Sequence, residues 1–132
     1  MKLSMAIKYG GGFKEAVDKV VELEKAGLDQ VWVAEAYSYD ANSQMGYRAA
    51  ITETVEIGSA IVNIYSRTPT LLAMTAAGID FVSEGRCVFG IGASGPQVIE
   101  GFHGIAYDRP LGRTREIVDI MRAAGIEAPD IS

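Results

Sequence analysis

Cysteine is nearly missing from this sequence, with one copy in 132 residues. A single thiol excludes an internal disulfide, and with it the small cross-linked secreted scaffolds; it suits a reducing compartment. Histidine is equally scarce, its one copy being His103. No cysteine or carboxylate stands at ligand spacing around it, so no metal site is expected. Long apolar runs are also absent, none reaching the roughly 20 residues of a membrane span. Met1 leads almost directly into a strand pattern without a charged-then-apolar leader, and a cytoplasmic protein is expected. Basic residues are in deficit: 12 Lys and Arg stand against 17 Asp and Glu, for a formal charge of −5. That balance excludes a general nucleic-acid or anionic-membrane binder, which needs a net basic face. The expected partner is a small-molecule substrate, with any anionic group held locally by a few donors and a helix end.

What is present is the composition of one globular domain, 48% hydrophobic and 22% charged. A chain of this length buries roughly two-thirds of its unfolded surface. Leu3, Met5, Ile7 and Tyr9 alternate with Lys2, Ser4, Ala6 and Lys8, which predicts a strand over residues 2–9. Gly10-Gly11-Gly12 breaks it. Phe13, Ala16, Val17, Val20 and Leu23 then recur at helical spacing, and Gly27 stands where a terminal glycine ends a helix. Residues 31–34 form an apolar second strand, and a polar stretch over 35–43 leads to a second helix at 44–54. Arg48 shares that helix's stripe with Gln44 and Ile51, and periodicity supplies no reason for it. A third strand is expected over 55–63. A third helix starts at Pro69 and stops at Gly85, a fourth strand covers 86–91, and a fourth helix covers 111–122. Strands recur roughly every 25–30 residues, the period of βαβ units. The expected fold class is α/β with a parallel sheet and right-handed crossovers. An open doubly wound sheet and a closed (βα)8 barrel share this signature, and both place ligand chemistry at the C-terminal strand ends.

Four segments meet at those ends: residues 9–12, 35–40, 61–67 and 92–97. Gly90-Ile91-Gly92-Ala93-Ser94-Gly95 matches G-x-G-x-x-G, although it follows the fourth strand rather than the first. These glycines either let the chain turn tightly or let backbone N–H groups approach a flat ring or an anion, with Pro96 starting a helix behind them. A nucleotide-binding sheet using this loop is one alternative. Glu35 follows a strongly apolar strand, where a carboxylate is costly unless it is solvated or used. Tyr9, Tyr37, Tyr39 and Tyr65 gather at the same ends, either as packing or as the wall of a substrate pocket. His103 reads as packing or as a proton donor, and Cys87 as core. Arg109, Arg113, Arg115 and Arg122 read as a solvated helix face balanced by Asp108, Glu116 and Asp119.

Several passages resemble the luciferase-like flavin and F420 oxidoreductases. The run Gly58-Ser-Ala-Ile-Val-Asn-Ile-Tyr-Ser-Arg-Thr-Pro69 is similar to that family's third strand and following loop. Ser83-Glu-Gly-Arg-Cys-Val-Phe-Gly-Ile-Gly92 is similar to its fourth strand. Gly95-Pro-Gln-Val-Ile-Glu-Gly-Phe-His-Gly104, followed by Arg113-Thr-Arg-Glu116, resembles the F420-dependent branch. The resemblance implies a TIM barrel with a deazaflavin at the strand ends, hence hydride transfer, with FMN as the alternative cofactor. It also implies a non-prolyl cis peptide, matched to Ala60–Ile61. Ala60, Ile61, Val62 and Asn63 would then border the cofactor from one side, and Gly92, Ala93, Ser94 and Gly95 from the other. Glu35 matches an acidic pocket position and is the catalytic candidate. Ala36 stands where some relatives have histidine. Tyr9, Tyr37 and Tyr65 would line the substrate pocket.

The resemblance covers residues 1–122 as the N-terminal half of such a barrel, about four βα units, and leaves 123–132 as a non-matching tail. Strands five to eight are not among these residues. A half barrel leaves the outer edges of its first and fourth strands unpaired. Two copies closing a barrel, which would make a homo-oligomer, and an inactive truncated fragment are both expectations of that arrangement.

Overall fold

The computed structural model describes residues 1–7 and 12–125. Strands and helices alternate as β1 (Ser4–Ala6), α1 (Phe13–Lys25), β2 (Gln30–Val33), α2 (Ala41–Ile51), β3 (Glu56–Ser59), β4 (Val62–Asn63), α3 (Pro69–Val82), β5 (Cys87–Val88) and β6 (Ile91–Gly92); a π-helical segment, Gln97–Phe102, and α4 (Pro110–Ala123) follow. β1, β2, β3 and β5 form one sheet in that order, all parallel, and β4 pairs in parallel with β6. Four βα units are therefore present, as the periodicity predicts. Tyr9 and the end of the tail, residues 126–132, lie outside the described residues.

The third and fourth strands depart from expectation. Each is two short strands rather than one. The break in the third falls at the Ala60–Ile61 peptide, which is cis. Pairing changes partner across it: the Ala60 N–H donates to the Val33 carbonyl at 2.8 Å, and the Val62 N–H to the Gly90 carbonyl at 2.9 Å. The Ser59 hydroxyl also donates to the Gly90 carbonyl, at 2.8 Å. Gly90 is required here, because a Cβ would lie 2.1 Å from the Ser59 carbonyl oxygen. The first glycine of the G-x-G pattern thus serves close approach of two backbones.

Helix boundaries also move, for local reasons. α2 starts at Ala41, three residues before the apolar spacing suggests, because the Asp40 carboxylate caps it by accepting from the Ser43 N–H. It ends at Ile51, where Thr52 turns extended. α3 is capped by the Thr68 hydroxyl ahead of Pro69, and it ends at Val82 before Glu84 and Gly85, both at positive φ. The expected helix behind Pro96 is the π-helical segment, with only Ile99 buried.

Val31, Val33 and Ile57 are fully buried on the helix side of the sheet, against Val20, Met45, Leu72, Ala76 and Ile79. Removing each large aliphatic side chain from water stabilises the fold by roughly 1.5–3 kcal/mol. On the other face the half-buried Trp32 ring lies over Gly58, filling the space a side chain would need. Arg48 is fully buried; its Nη1 donates to the Gln44 carbonyl at 3.3 Å, and the Phe13 ring centroid lies 5.1 Å from its guanidinium carbon. The polar stripe on α2 is therefore an internal cation contact, and periodicity could not show it.

The N-terminal strand ends are tied together by long-range hydrogen bonds. The Glu24 carboxylate accepts from the N–H groups of Glu53, Thr54 and Val55. Arg86 donates to the carbonyls of Ala49, Thr52, Val55 and Ser83 and to the Thr52 hydroxyl. Glu56 accepts from Lys2 and Gln30.

Candidate functional site

The C-terminal strand ends carry the polar groups that the sequence marks as a site. Ala34, Ala60 and Ser94 are exposed there, so the backbone of the strand ends is open to approach. Val62 pairs with Ile91 and Asn63 with Gly92, which brings the two expected cofactor-bordering segments side by side. Gly92 packs closely here: a Cβ on it would lie 3.3 Å from the end of the Ile61 side chain, which would have to shift by a few tenths of an ångström. Ser94 adopts a left-handed backbone, φ 56°, and turns the chain out of β6.

Asn63 is 1% exposed. Its Oδ1 accepts from the N–H groups of Tyr65 and Ser66, at 3.1 and 2.9 Å, which fixes the amide plane. The other end of that amide, Nδ2, is buried and has no hydrogen-bond partner in the structure. A buried donor left unpaired costs roughly 1–3 kcal/mol, so its presence wants an explanation. The Nε2 atom of half-buried His103 is likewise buried without a partner, beside the Phe102 ring.

Glu35 is not a free loop acid. Its two oxygens receive both terminal nitrogens of Arg67, at 2.8 and 3.0 Å, and one of them also accepts from the Ala41 N–H at 2.9 Å. The side chains of Glu35 and Arg67 are 8% and 16% exposed, so this is a nearly desolvated bidentate pair. Arg67 also donates to Asp40 at 2.6 Å, and the Asn42 amide, with its oxygen turned toward the guanidinium, accepts from it at 3.2 and 3.3 Å. The hydrogen bond to Glu35 raises the Arg67 pKa above its ordinary value against the effect of burial. Burial acts to raise the Asp40 pKa, but the Ser43 hydroxyl, the Ser43 N–H and Arg67 outweigh it and hold the carboxyl below its usual range.

The tyrosines divide. Tyr37 is well exposed and meets Phe102 edge-on at 5.6 Å, while Tyr39 is exposed beyond it. Tyr65 is 5% exposed: its hydroxyl donates to the Asp108 carbonyl at 2.8 Å, Tyr107 packs at 5.2 Å, and the Arg113 guanidinium lies 4.7 Å from its ring centroid. Tyr107 in turn donates to the Ser94 carbonyl. Tyr65 is thus a strut linking the third loop to the fourth, and it borders an outward cavity of about 420 Å³ with Arg67, Arg113 and Ile117. Arg109 pairs with Glu116 and Arg113 with Asp108 on solvated faces, as expected. Cys87 is buried, and burial together with Asp80 pushes its thiol up to about 12, so it is inert core. Among the described residues no group of three or more His, Cys, Asp or Glu is placed to hold a metal ion, and no helix is long and apolar enough to cross a membrane.

Sequence reasoning missed Arg67, Phe102 and Tyr107. Arg67 stands one residue before a helix cap, and nothing in the local pattern says that it reaches back 32 residues.

Comparison with known proteins supplies the context for this geometry. The family model for luciferase-like monooxygenases matches residues 1–129. A Mycobacterium tuberculosis protein provisionally named a coenzyme F420-dependent oxidoreductase is 40% identical over 92% of this chain. The F420-dependent tetrahydromethanopterin reductase of Methanopyrus kandleri superposes with a TM-score of 0.78 at 19% identity, covering 91% of this chain and 39% of that one. The oxygenating constituent of 3,6-diketocamphane monooxygenase from Pseudomonas putida, solved with FMN, also gives 0.78, at 20% identity, over 92% of this chain and 38% of that one. The chain spans 36% of the length of the mycobacterial relative.

Proposed function

The chain belongs to the luciferase-like monooxygenase family, and from that membership we propose that it carries the cofactor-bordering half of a coenzyme F420-dependent oxidoreductase. One observation carries the reading. Asn63 Nδ2 is a buried donor whose orientation is fixed and whose partner is missing, at the end of β4 beside Gly92. An acceptor atom on a ligand at the strand ends would satisfy it once the groups that cover Nδ2 move aside. The residues fit such a ligand: Ala60, Ile61, Val62 and Asn63 would hold it from one strand, and Gly92, Ala93, Ser94 and Gly95 from the next, with the Ile61 side chain packed against Gly92. Bound F420 would supply two-electron hydride transfer to or from a small-molecule substrate. Glu35 serves that site as a fixed anion at the wall, because all of its hydrogen bonds go to Arg67 and Ala41. FMN is the second reading, because the fold is shared equally with an FMN-containing monooxygenase and an F420-dependent reductase.

The test is a titration of the purified protein with F420, followed by cofactor absorbance, with mass recorded by light scattering. Saturable micromolar binding is expected. A dimer would agree with two copies pairing at the open edges of β1 and β5. Asn63→Ala should weaken binding about tenfold, since one hydrogen bond to an otherwise unpaired donor is worth roughly 1.5 kcal/mol. Absence of saturable binding overturns the proposal, and binding of FMN in preference to F420 replaces it with the second reading.

A further inference from the structure

We propose that Arg67 is a positioning residue at the C-terminal strand ends: one guanidinium fastens both ends of the 35–40 loop and thereby holds Tyr37 against Phe102. The inference rests on the reading of the strand ends as a ligand site, and it adds an aromatic wall beside that site.

Loop 35–40 leaves β2 and returns at the cap of α2. Glu35 is its first residue and Asp40 its last. Arg67 grips both, with two bonds to Glu35 and one at 2.6 Å to Asp40. It is itself anchored, because the next residue, Thr68, caps α3. Asp40 is tied at its other oxygen to the Ser43 N–H, and Glu35 to the Ala41 N–H, so each foot of the loop is fixed to α2 as well. The four residues between form an arch whose feet one side chain determines.

Tyr37 stands on that arch, 61% exposed, and Phe102 at the end of the π-helical segment is 56% exposed. Two large rings, one from the 35–40 loop and one from the π-helical segment, touch in solvent with centroids 5.6 Å apart and make a wall suited to an apolar or aromatic part of a small substrate. Only a planar, forked cation reaches Glu35 bidentately and Asp40 at once. Lysine carries the charge without the fork, so it should not substitute.

The experiment is proton NMR of the full chain, reading the ring-to-ring Overhauser effect between Tyr37 and Phe102. The Phe13–Tyr47 pair, whose centroids are 5.1 Å apart, serves as the internal standard. Arg67→Lys and the double variant Arg67→Met with Glu35→Gln are compared with wild type; the double variant leaves no buried carboxylate unpaired. The Tyr37–Phe102 effect should fall at least fivefold in both, while the Phe13–Tyr47 effect is unchanged. Its persistence in the double variant, or full rescue by lysine, overturns the proposal. No cofactor is needed, so failure here is distinct from failure to bind F420.

Discussion

At the N-terminal ends of the strands, polar side chains from distant segments find partners. Glu24 gathers three backbone donors and Arg86 gathers four carbonyls and a hydroxyl, all within ordinary hydrogen-bond distance. At the C-terminal ends the chain breaks its third strand at a cis bond and places Ser94 in a left-handed backbone. It also buries the Asn63 donor without a partner. The fold thus has its N-terminal strand ends closed on themselves, while a C-terminal strand end keeps a buried donor unpaired. A parallel sheet makes this division natural, because its C-terminal ends open into loops that vary without touching the core. The closed end bears on stability, and the open end is where we propose that a ligand binds.

The largest effect should come from breaking the closed end. Arg86→Ala removes donors to four carbonyls at once and should cost about 3 kcal/mol, read as a fall in the urea midpoint with the slope unchanged. A loss below about 1 kcal/mol would mean that water replaces the guanidinium and that the two ends differ less than their geometry says.

Acid sharpens the comparison at a smaller scale. Burial acts to raise the Glu24 pKa, but the N–H groups of Thr54, Val55 and Glu53 outweigh it and hold the carboxyl below its ordinary value of 4.5. Hydrogen bonds from Lys2 and Gln30 lower Glu56 from the same value. Both groups bind fewer protons folded than unfolded. Their contribution is therefore fully present above about pH 4.5 and is lost as the pH falls through the lowered folded values. Asp40 at the open end follows the same sign from 3.8. Unfolding free energy should be flat from pH 7 to 5 and fall below 4.5. In Glu24→Gln that fall should be shallower, and an unchanged slope would remove Glu24 from the account.

The smallest effect should be a gain. Ser94→Gly relieves a left-handed conformation at the open end and should raise stability by about 0.5 kcal/mol, measured by thermal unfolding. A loss instead would show that the serine's backbone position is held by more than the Tyr107 hydrogen bond.

Much of the fold was legible from periodicity, because amphipathic helices and apolar strands write their burial locally. Val17, Val20, Val31 and Val33 lie on the apolar positions of the expected elements, and all are buried. Family resemblance, not periodicity, located the Ala60–Ile61 bond. Glu35 was singled out from its strand, but its character was not. A carboxylate after an apolar strand looks the same whether it is solvated or clamped, and the cation that clamps it lies 32 residues away. Tyr65 was read as a pocket wall, while its hydroxyl is engaged by a carbonyl 43 residues on. Spacing along α2 gives no reason for Arg48; the Phe13 ring over its guanidinium does.

By itself, the sequence determined the order of elements and the parallel sheet, since these follow from residue spacing and from the handedness of the chain. The tertiary structure alone decided which polar groups are paired and which are left wanting. Those outcomes depend on distances between segments far apart in the chain, and only folding brings Arg67 to Glu35, Gly90 beneath the Ser59 carbonyl, and nothing to Asn63 Nδ2.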